Sequence, residues 1–253
     1  MDTASIAPRT LYSTLGTPRA ALVLDVRREK AYDADDRLVA GALRPTADPF
    51  ALVGQRAGPV VVYCVHGHEV SQDAARTLRE RGIDARYLEG GIEAWRREGL
   101  PTIRRHPEWR VPGGSRWITR ERPKIDRVAC PWLIHRFIDP LAAFDYVPAD
   151  RVLAEAESRS AVAYDTDGAP VTHRGERCSF DALIEDFDLH DAALERLATI
   201  VRGADTGRPD LAPQCAQLLA ASRALSQRHA DDHEMLAQAV PMYDDLYASC
   251  RSA

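Results

Sequence analysis

The sequence predicts two successive folds: an α/β domain built on a parallel sheet over residues 1–105, and an α+β, mostly helical domain over residues 117–253. Three observations carry that prediction. Short β-branched runs alternate with helical stretches through the first hundred residues, the pattern of a parallel sheet with right-handed crossovers. The stretch 101–115 holds three prolines and a Gly-Gly pair and has no helical or strand period. Residues 106–116 are therefore read as a linker. From Ser179 onward the apolar period is helical almost throughout.

The elements follow in order. Residues 21–27 read as a buried strand ending in charged residues, with Asp25 either an anchor for nearby backbone N–H groups or a catalytic carboxylate. Residues 29–34 read as a helical turn, 40–44 as a short strand, and 50–56 as a short helix. Pro59-Val60-Val61-Val62-Tyr63 is short and β-branched, hence a buried strand. After it, 71–82 carries helix formers, apolar Ala74, Ala75 and Leu78, and a closing Gly82. Residues 84–88 form another strand, and Gly90-Gly91 turns into a helix over 92–98. In the second half, 117–120 and 143–147 read as strands, with 161–165 and 171–173 as two more around a turn. Asp126 reads as the N-cap of a helix over 127–138 that Pro131 kinks or delays. Helices follow over 180–186, 191–201, 212–229 and 232–247. Trp109 reads as an anchor from the linker onto one domain.

Composition narrows the function classes. A length of 253 residues leaves room for two cores. An apolar content of 45% with 28% charged residues is that of an ordinary soluble protein. The net charge of -5 gives no electrostatic reason to expect nucleic-acid binding. Five scattered cysteines without a Cys-x-x-Cys pair suit reduced thiols. No apolar run approaches membrane-spanning length and the N-terminus has no signal pattern, so a cytoplasmic protein without a membrane partner is expected. Homo-oligomerisation is left open.

The chemistry centres on Cys64, which stands where a buried strand meets a helix start. Free helical N–H groups point into such a loop, and the helix dipole favours negative charge there. Both effects lower a thiol pKa. The strand's C-terminal end is also the ligand edge of an α/β sheet. The expected catalytic residue is Cys64, with Val65, His66, Gly67, His68, Glu69 and Val70 as the anion-binding loop. His66 and His68 are either acid/base groups or exposed side chains turned away from the cradle.

Leu24-Asp25-Val26-Arg27, Tyr63-Cys64-x-x-Gly67, Ala74-Ala75-x-x-Leu78 and Leu88-x-Gly90-Gly91-x-x-Ala94-Trp95 together resemble a rhodanese domain across residues 9–104. The resemblance implies a sulfurtransferase that carries a persulfide on the cysteine and needs no cofactor. Its substrates would be a small sulfur donor or oxyanion and a thiol acceptor. The loop runs one residue longer than in the short sulfurtransferases and resembles those of cell-division phosphatases and arsenate-handling members. Those end the loop with an arginine. Here Val70 and Ser71 stand at that end, and Glu69 disfavours a dianionic phosphate.

The second domain gathers candidate metal ligands. Residues 173–181 bring together His173, Cys178 and carboxylates; Asp205 ends a helix; His229 and His233 have i, i+4 spacing beside Glu234. His173, Asp205 and His233 form the expected ligand set, suited to iron, manganese or zinc. The bland account makes the histidines solvated and the aspartates helix terminators. Arg120, Arg174, Arg177 and Arg202 can donate to an oxyanion, with Cys130, Cys178 and Glu234 as accessory residues.

The segments 117–134, 173–181, 200–206 and 230–236 resemble the C-terminal domain of the chromate-resistance ChrB family. That resemblance implies a role in chromate resistance, as a regulator or an accessory to efflux. Regulators of that family carry a different N-terminal half. Two readings result: a sulfurtransferase coupled to a metal-binding oxyanion-resistance domain, or a chromate or thiol-stress sensor without turnover.

Overall fold

The computed structural model describes residues 4–45, 52–53, 58–106, 108–109 and 114–252. The chain divides into two units, Met1–Arg105 with Arg136–Pro140, and His106–His135 with Leu141–Ala253.

The described elements of the first unit are β1 (Ser5–Ile6), α1 (Pro8–Thr14), β2 (Leu22–Asp25), α2 (Glu29–Asp33), β3 (Arg37–Val39), β4 (Ala42–Leu43), β5 (Val60–Tyr63), α3 (Glu69–Glu80), β6 (Ala85–Leu88), α4 (Gly91–Arg97) and β7 (Thr102–Arg104). Five strands form one sheet in the order β1-β6-β5-β2-β4, and every pairing is parallel. The β-branched run of β5 lies at its centre, buried at all four residues, as a parallel strand covered on both faces requires. The chain proceeds outward from β2 to β4, then returns to β5 and proceeds the other way to β6. The order therefore reverses between β2 and β5, and the crevice beyond their C-terminal ends is the ligand position of such a sheet. Register places Asp25 opposite Tyr63 at that edge. Ser71, Ala75 and Leu78 are the buried face of α3, spaced as one helical stripe.

Two expectations change here. The stretch read as structureless from residue 101 begins with a strand, because β7 pairs antiparallel with β3, Thr102 opposite Val39 and Arg104 opposite Arg37. The cysteine-proximal helix starts at Glu69 rather than 71, which shortens the loop. The helix expected over 50–56 lies outside the described residues apart from helical Leu52 and Val53.

The described elements of the second unit include β8 (Arg116–Arg120), α5 (Asp126–Leu133), β9 (Ala143–Val147), α6 (Val152–Arg159), β10 (Val162–Ala163), α7 (Ser179–Asp186), α8 (Ala192–Asp205), α9 (Cys215–Arg228) and α10 (Asp232–Ser252). Its sheet is parallel, in the order β10-β8-β9. Ile118, Val147, Val152, Ala156, Ala163 and Ala169 pack on one side of it. Trp132 packs against Phe180, Tyr243 and Tyr247 among the helices. Trp109 is an anchor onto this unit, stacked on His106 at 4.6 Å and set against Phe187 and Trp117. Among the described residues no helix is long and apolar enough to cross a membrane.

Pro131 neither delays nor ends α5, which already runs from Asp126. A proline has no N–H to give the carbonyl four residues back, here that of Arg127. The Tyr164 hydroxyl donates to that carbonyl instead, at 3.2 Å. Residues 171–173 do not make a strand; a single bridge joins Val171 to Tyr164.

Candidate functional site

Cys64 follows β5 directly and lines a cavity of about 570 Å³ with Arg27, Arg28, Ala31, Val65, His66, His68, Glu69, Val70 and Gln72. These come from the segments after β2 and β5, the two sides of the sheet's switch point. The loop is held open from behind. Two amides of the first turn of α4, those of Ile92 and Glu93, donate to the Cys64 and Val65 carbonyls at 3.1 and 3.2 Å and tie the loop to that helix. Gly67 has φ +72°, and a Cβ there would come within 2.6 Å of the Leu88 carbonyl. Gly91 has φ +59°, and its Cβ would overlap the Cys64 and Val65 carbonyl oxygens. Only glycine fits either position.

Burial raises the Cys64 thiol pKa, but opposing contacts outweigh it and leave it below its ordinary value. Ser71 is the largest of these, its Oγ lying 3.2 Å from Sγ. The backbone N–H groups of His66, Ser71 and His68 add to it. Hydrogen bonds to the charged form favour that form. His66, His68 and Glu69 are exposed, and the two rings sit 5.8 Å apart. Asp25 is an anchor. It is fully buried and accepts from the Arg27 backbone N–H, the Arg27 guanidinium and the Tyr63 hydroxyl. Ser71 and Arg28 went unread as site residues because their roles depend on where α3 begins and on the β2–β5 neighbourhood.

In the second unit His173 and Asp205 come together, but with Asp126 and Asp165 rather than His233. His173 Nε2 lies 3.2 Å from Asp126 Oδ2, 3.3 Å from Asp165 Oδ1 and 3.2 Å from Asp205 Oδ2. Asp126 is not the N-cap of α5; Ile125 holds that place with φ +47°. As the first helical residue, Asp126 turns its side chain inward, 1% exposed, to accept from the Ser179 N–H at 3.3 Å. Asp165 is fixed by the Ser179 hydroxyl, Arg120 and Arg127. The Asp126 hydrogen bond raises His173 to about 9 against its partial burial. Burial, then Asp126 and Asp165, push Asp205 up to about 7. Burial and Asp126 raise Asp165 as well.

His233 fails to join because α9 ends at Arg228 and α10 starts at Asp232, which leaves His229 in an extended link. The two histidines never share a helix, so their i, i+4 spacing has no geometric consequence. His233 is exposed and packs on the Tyr146 ring at 5.3 Å, while His229 pairs with Glu234 at 3.3 Å. Of the other expected residues Arg120 stands at the cluster, while Arg174, Arg177 and Arg202 lie elsewhere. Arg120 pairs with Asp165, Arg174 with Asp186 and Glu185, and Arg202 with Asp181. Arg177 is exposed and lines a separate cavity with Arg174, Arg202 and Arg208. Cys130 and Cys178 are fully buried, and both thiols are pushed up by burial and by Asp126.

Residues 117–250 match the family model of the ChrB C-terminal domain, and residues 7–98 that of the rhodanese-like domain. The chain belongs to the ChrB family, with a rhodanese-like domain ahead of its ChrB C-terminal domain. Protein ChrB of Cupriavidus metallidurans is 36% identical over 137 residues, 53% of this chain and 40% of that protein. An uncharacterized protein of Synechocystis sp. is 31% identical over 40% of this chain and 56% of its own length. The matches thus span about half the length of these curated relatives. Among solved structures, a rhodanese-related protein from Thermoplasma volcanium is 27% identical, covering 39% of this chain and 96% of that one, with a TM-score of 0.33. A rhodanese-like domain from Anabaena sp. is also 27% identical, covering 44% and 86%, with a TM-score of 0.35. The rhodanese-like domain assigns the first half to a superfamily that includes sulfurtransferases.

Proposed function

We propose that this ChrB-family protein is a sulfurtransferase whose nucleophile is Cys64, serving oxyanion resistance through its ChrB half. The observation that carries the reading is the Cys64 sulfur at the switch point of the sheet, lining an open cavity, with the Ser71 hydroxyl and the backbone N–H groups of His66, His68 and Ser71 holding its pKa down. The cysteine thiolate attacks the outer sulfur of a sulfane donor such as thiosulfate. A new S–S bond forms on Cys64, and the donor's S–S bond breaks with its electron pair leaving on sulfite. An acceptor thiolate then attacks the terminal sulfur, and the Cys64 thiolate leaves. The amides of His66, His68 and Ser71 face the charge on sulfur at the start and at the end, so they need no reorganisation during transfer. Arg28 lines the cavity and offers a cation to the donor's sulfonate end.

The test is sulfur transfer from thiosulfate to a thiol, with mass spectrometry of the Cys64 peptide. Wild type should gain one sulfur on Cys64 and turn over, while Cys64→Ser does neither and stays folded. Turnover that survives Cys64→Ser rejects the assignment. A persulfide that forms on Cys64 but is never passed on supports the sensing alternative.

A further inference from the structure

We propose that Asp126, His173 and Asp205 form a binding site for one divalent first-row transition-metal ion in the ChrB domain. Their donor atoms all lie within 4.8 Å of one another, so a single ion can reach all three at ordinary metal–ligand distances of about 2.0–2.2 Å with small side-chain shifts. They arrive from three separate places: the first residue of α5, the loop after Val171 and the last residue of α8.

The set is mixed. One imidazole and two carboxylates suit manganese, iron or zinc rather than a soft ion or a purely oxygen-bound one. Charge points the same way. Arg120 and Arg127 both pair with Asp165 Oδ2, whereas the cation set against Asp126 and Asp205 is the imidazole, which Asp165 also approaches at 3.3 Å.

Asp205 supplies an independent sign. A carboxylate at a helix C-terminus faces the negative end of the macrodipole, and its side chain is only 15% exposed. Such a placement needs a partner at close range, and a metal ion shared with His173 and Asp126 supplies one. Of the three donors, His173 lines a cavity of about 610 Å³, together with Asp165, Arg120, Thr166 and Thr172. An ion held by three protein donors keeps positions open for water or a substrate atom, as catalytic sites do.

The competing account is an ion cluster closed by protons alone. Full-length protein, purified without a polyhistidine tag and stripped with chelator, is titrated with Mn²⁺ and, anaerobically, Fe²⁺ by calorimetry. Mn²⁺ is the main probe because free thiols such as Cys64 compete for softer ions. The expected result is one ion per chain, weakened more than about tenfold, or about 1.4 kcal/mol, by His173→Ala and by Asp205→Asn. His233→Ala should bind like wild type. Circular dichroism checks each variant, and if Asp205→Asn does not fold, the partly exposed His173 decides. No saturable binding of either ion, or a His173→Ala variant that binds like wild type, overturns the proposal.

Discussion

Replacing Ser71 with alanine tests the account of Cys64 reactivity directly. The hydroxyl is 3.2 Å from Sγ and is the strongest of the contacts that favour the thiolate. A hydrogen bond to a charged group contributes about 1.5–3 kcal/mol. At about 1.36 kcal/mol per unit, its loss raises the thiol pKa by about one to two units. A more basic thiolate is intrinsically more nucleophilic, with a Brønsted slope of about 0.4–0.5. Alkylation near neutral pH should therefore slow by about threefold to tenfold net rather than the full ten- to hundredfold. The fold should tolerate the change: the His68 carbonyl that Ser71 Oγ also contacts keeps the Ser71 and Gln72 backbone N–H groups. The assay is iodoacetamide alkylation across pH 5–10, read at the Cys64 peptide by mass spectrometry, since the other four cysteines are also free and buried. An unchanged or lowered midpoint would refute the reasoning. Stability carries the same sign. A thiol pKa depressed in the folded state stabilises it above the unfolded value of about 8.5. That contribution is lost as pH falls through the folded pKa. Wild type should therefore exceed Ser71→Ala in stability by more at pH 9 than at pH 6, as urea titrations at the two values would show.

Three further outcomes follow from the packing. Gly91→Ala forces a Cβ onto the Cys64 and Val65 carbonyls at a positive φ and should destabilise the first unit by about 2 kcal/mol or more, while lowering Cys64 alkylation; denaturant titration and the alkylation assay read both. Tyr63→Phe removes the 3.0 Å bond to buried Asp25 and should cost about 1–3 kcal/mol without moving the Cys64 midpoint. Trp109→Ala removes the rings' contacts with His106, Trp117 and Phe187 and should lower second-unit stability by about 1–3 kcal/mol; an unchanged unfolding transition would show that Trp109 is a passive rider.

The cysteine site was legible because its parts are local. A buried strand, a glycine-bearing turn and a helix lie within about twenty residues, and each carries its own signal. The β3–β7 pair was not, because three-residue strands such as Thr102–Arg104 have too few residues to show a period. What makes Thr102–Arg104 a strand is Arg37–Val39, far away in the chain. The missed helix α6 is a different case. Val152–Arg159 is rich in alanine, leucine and glutamate, so its propensity signal was present.

The carboxylate cluster shows where local rules mislead. Asp126 stands where the sequence pattern starts a helix, and an aspartate there has a sufficient local explanation as a cap, although Ile125 holds that place. That explanation hides the buried contacts with Ser179 and His173, 53 and 47 residues away in the chain. His229 and His233 show the reverse error, a helical spacing assigned across a helix break. The residue that carried usable information was Asp205. A negative side chain on the last helical residue opposes the macrodipole, so capping could not account for it. An aspartate that a local rule cannot place is therefore better evidence for a convergent site than two histidines at an attractive spacing, because its position calls for a partner or a proton from elsewhere in the fold, and here His173 stands 3.2 Å away.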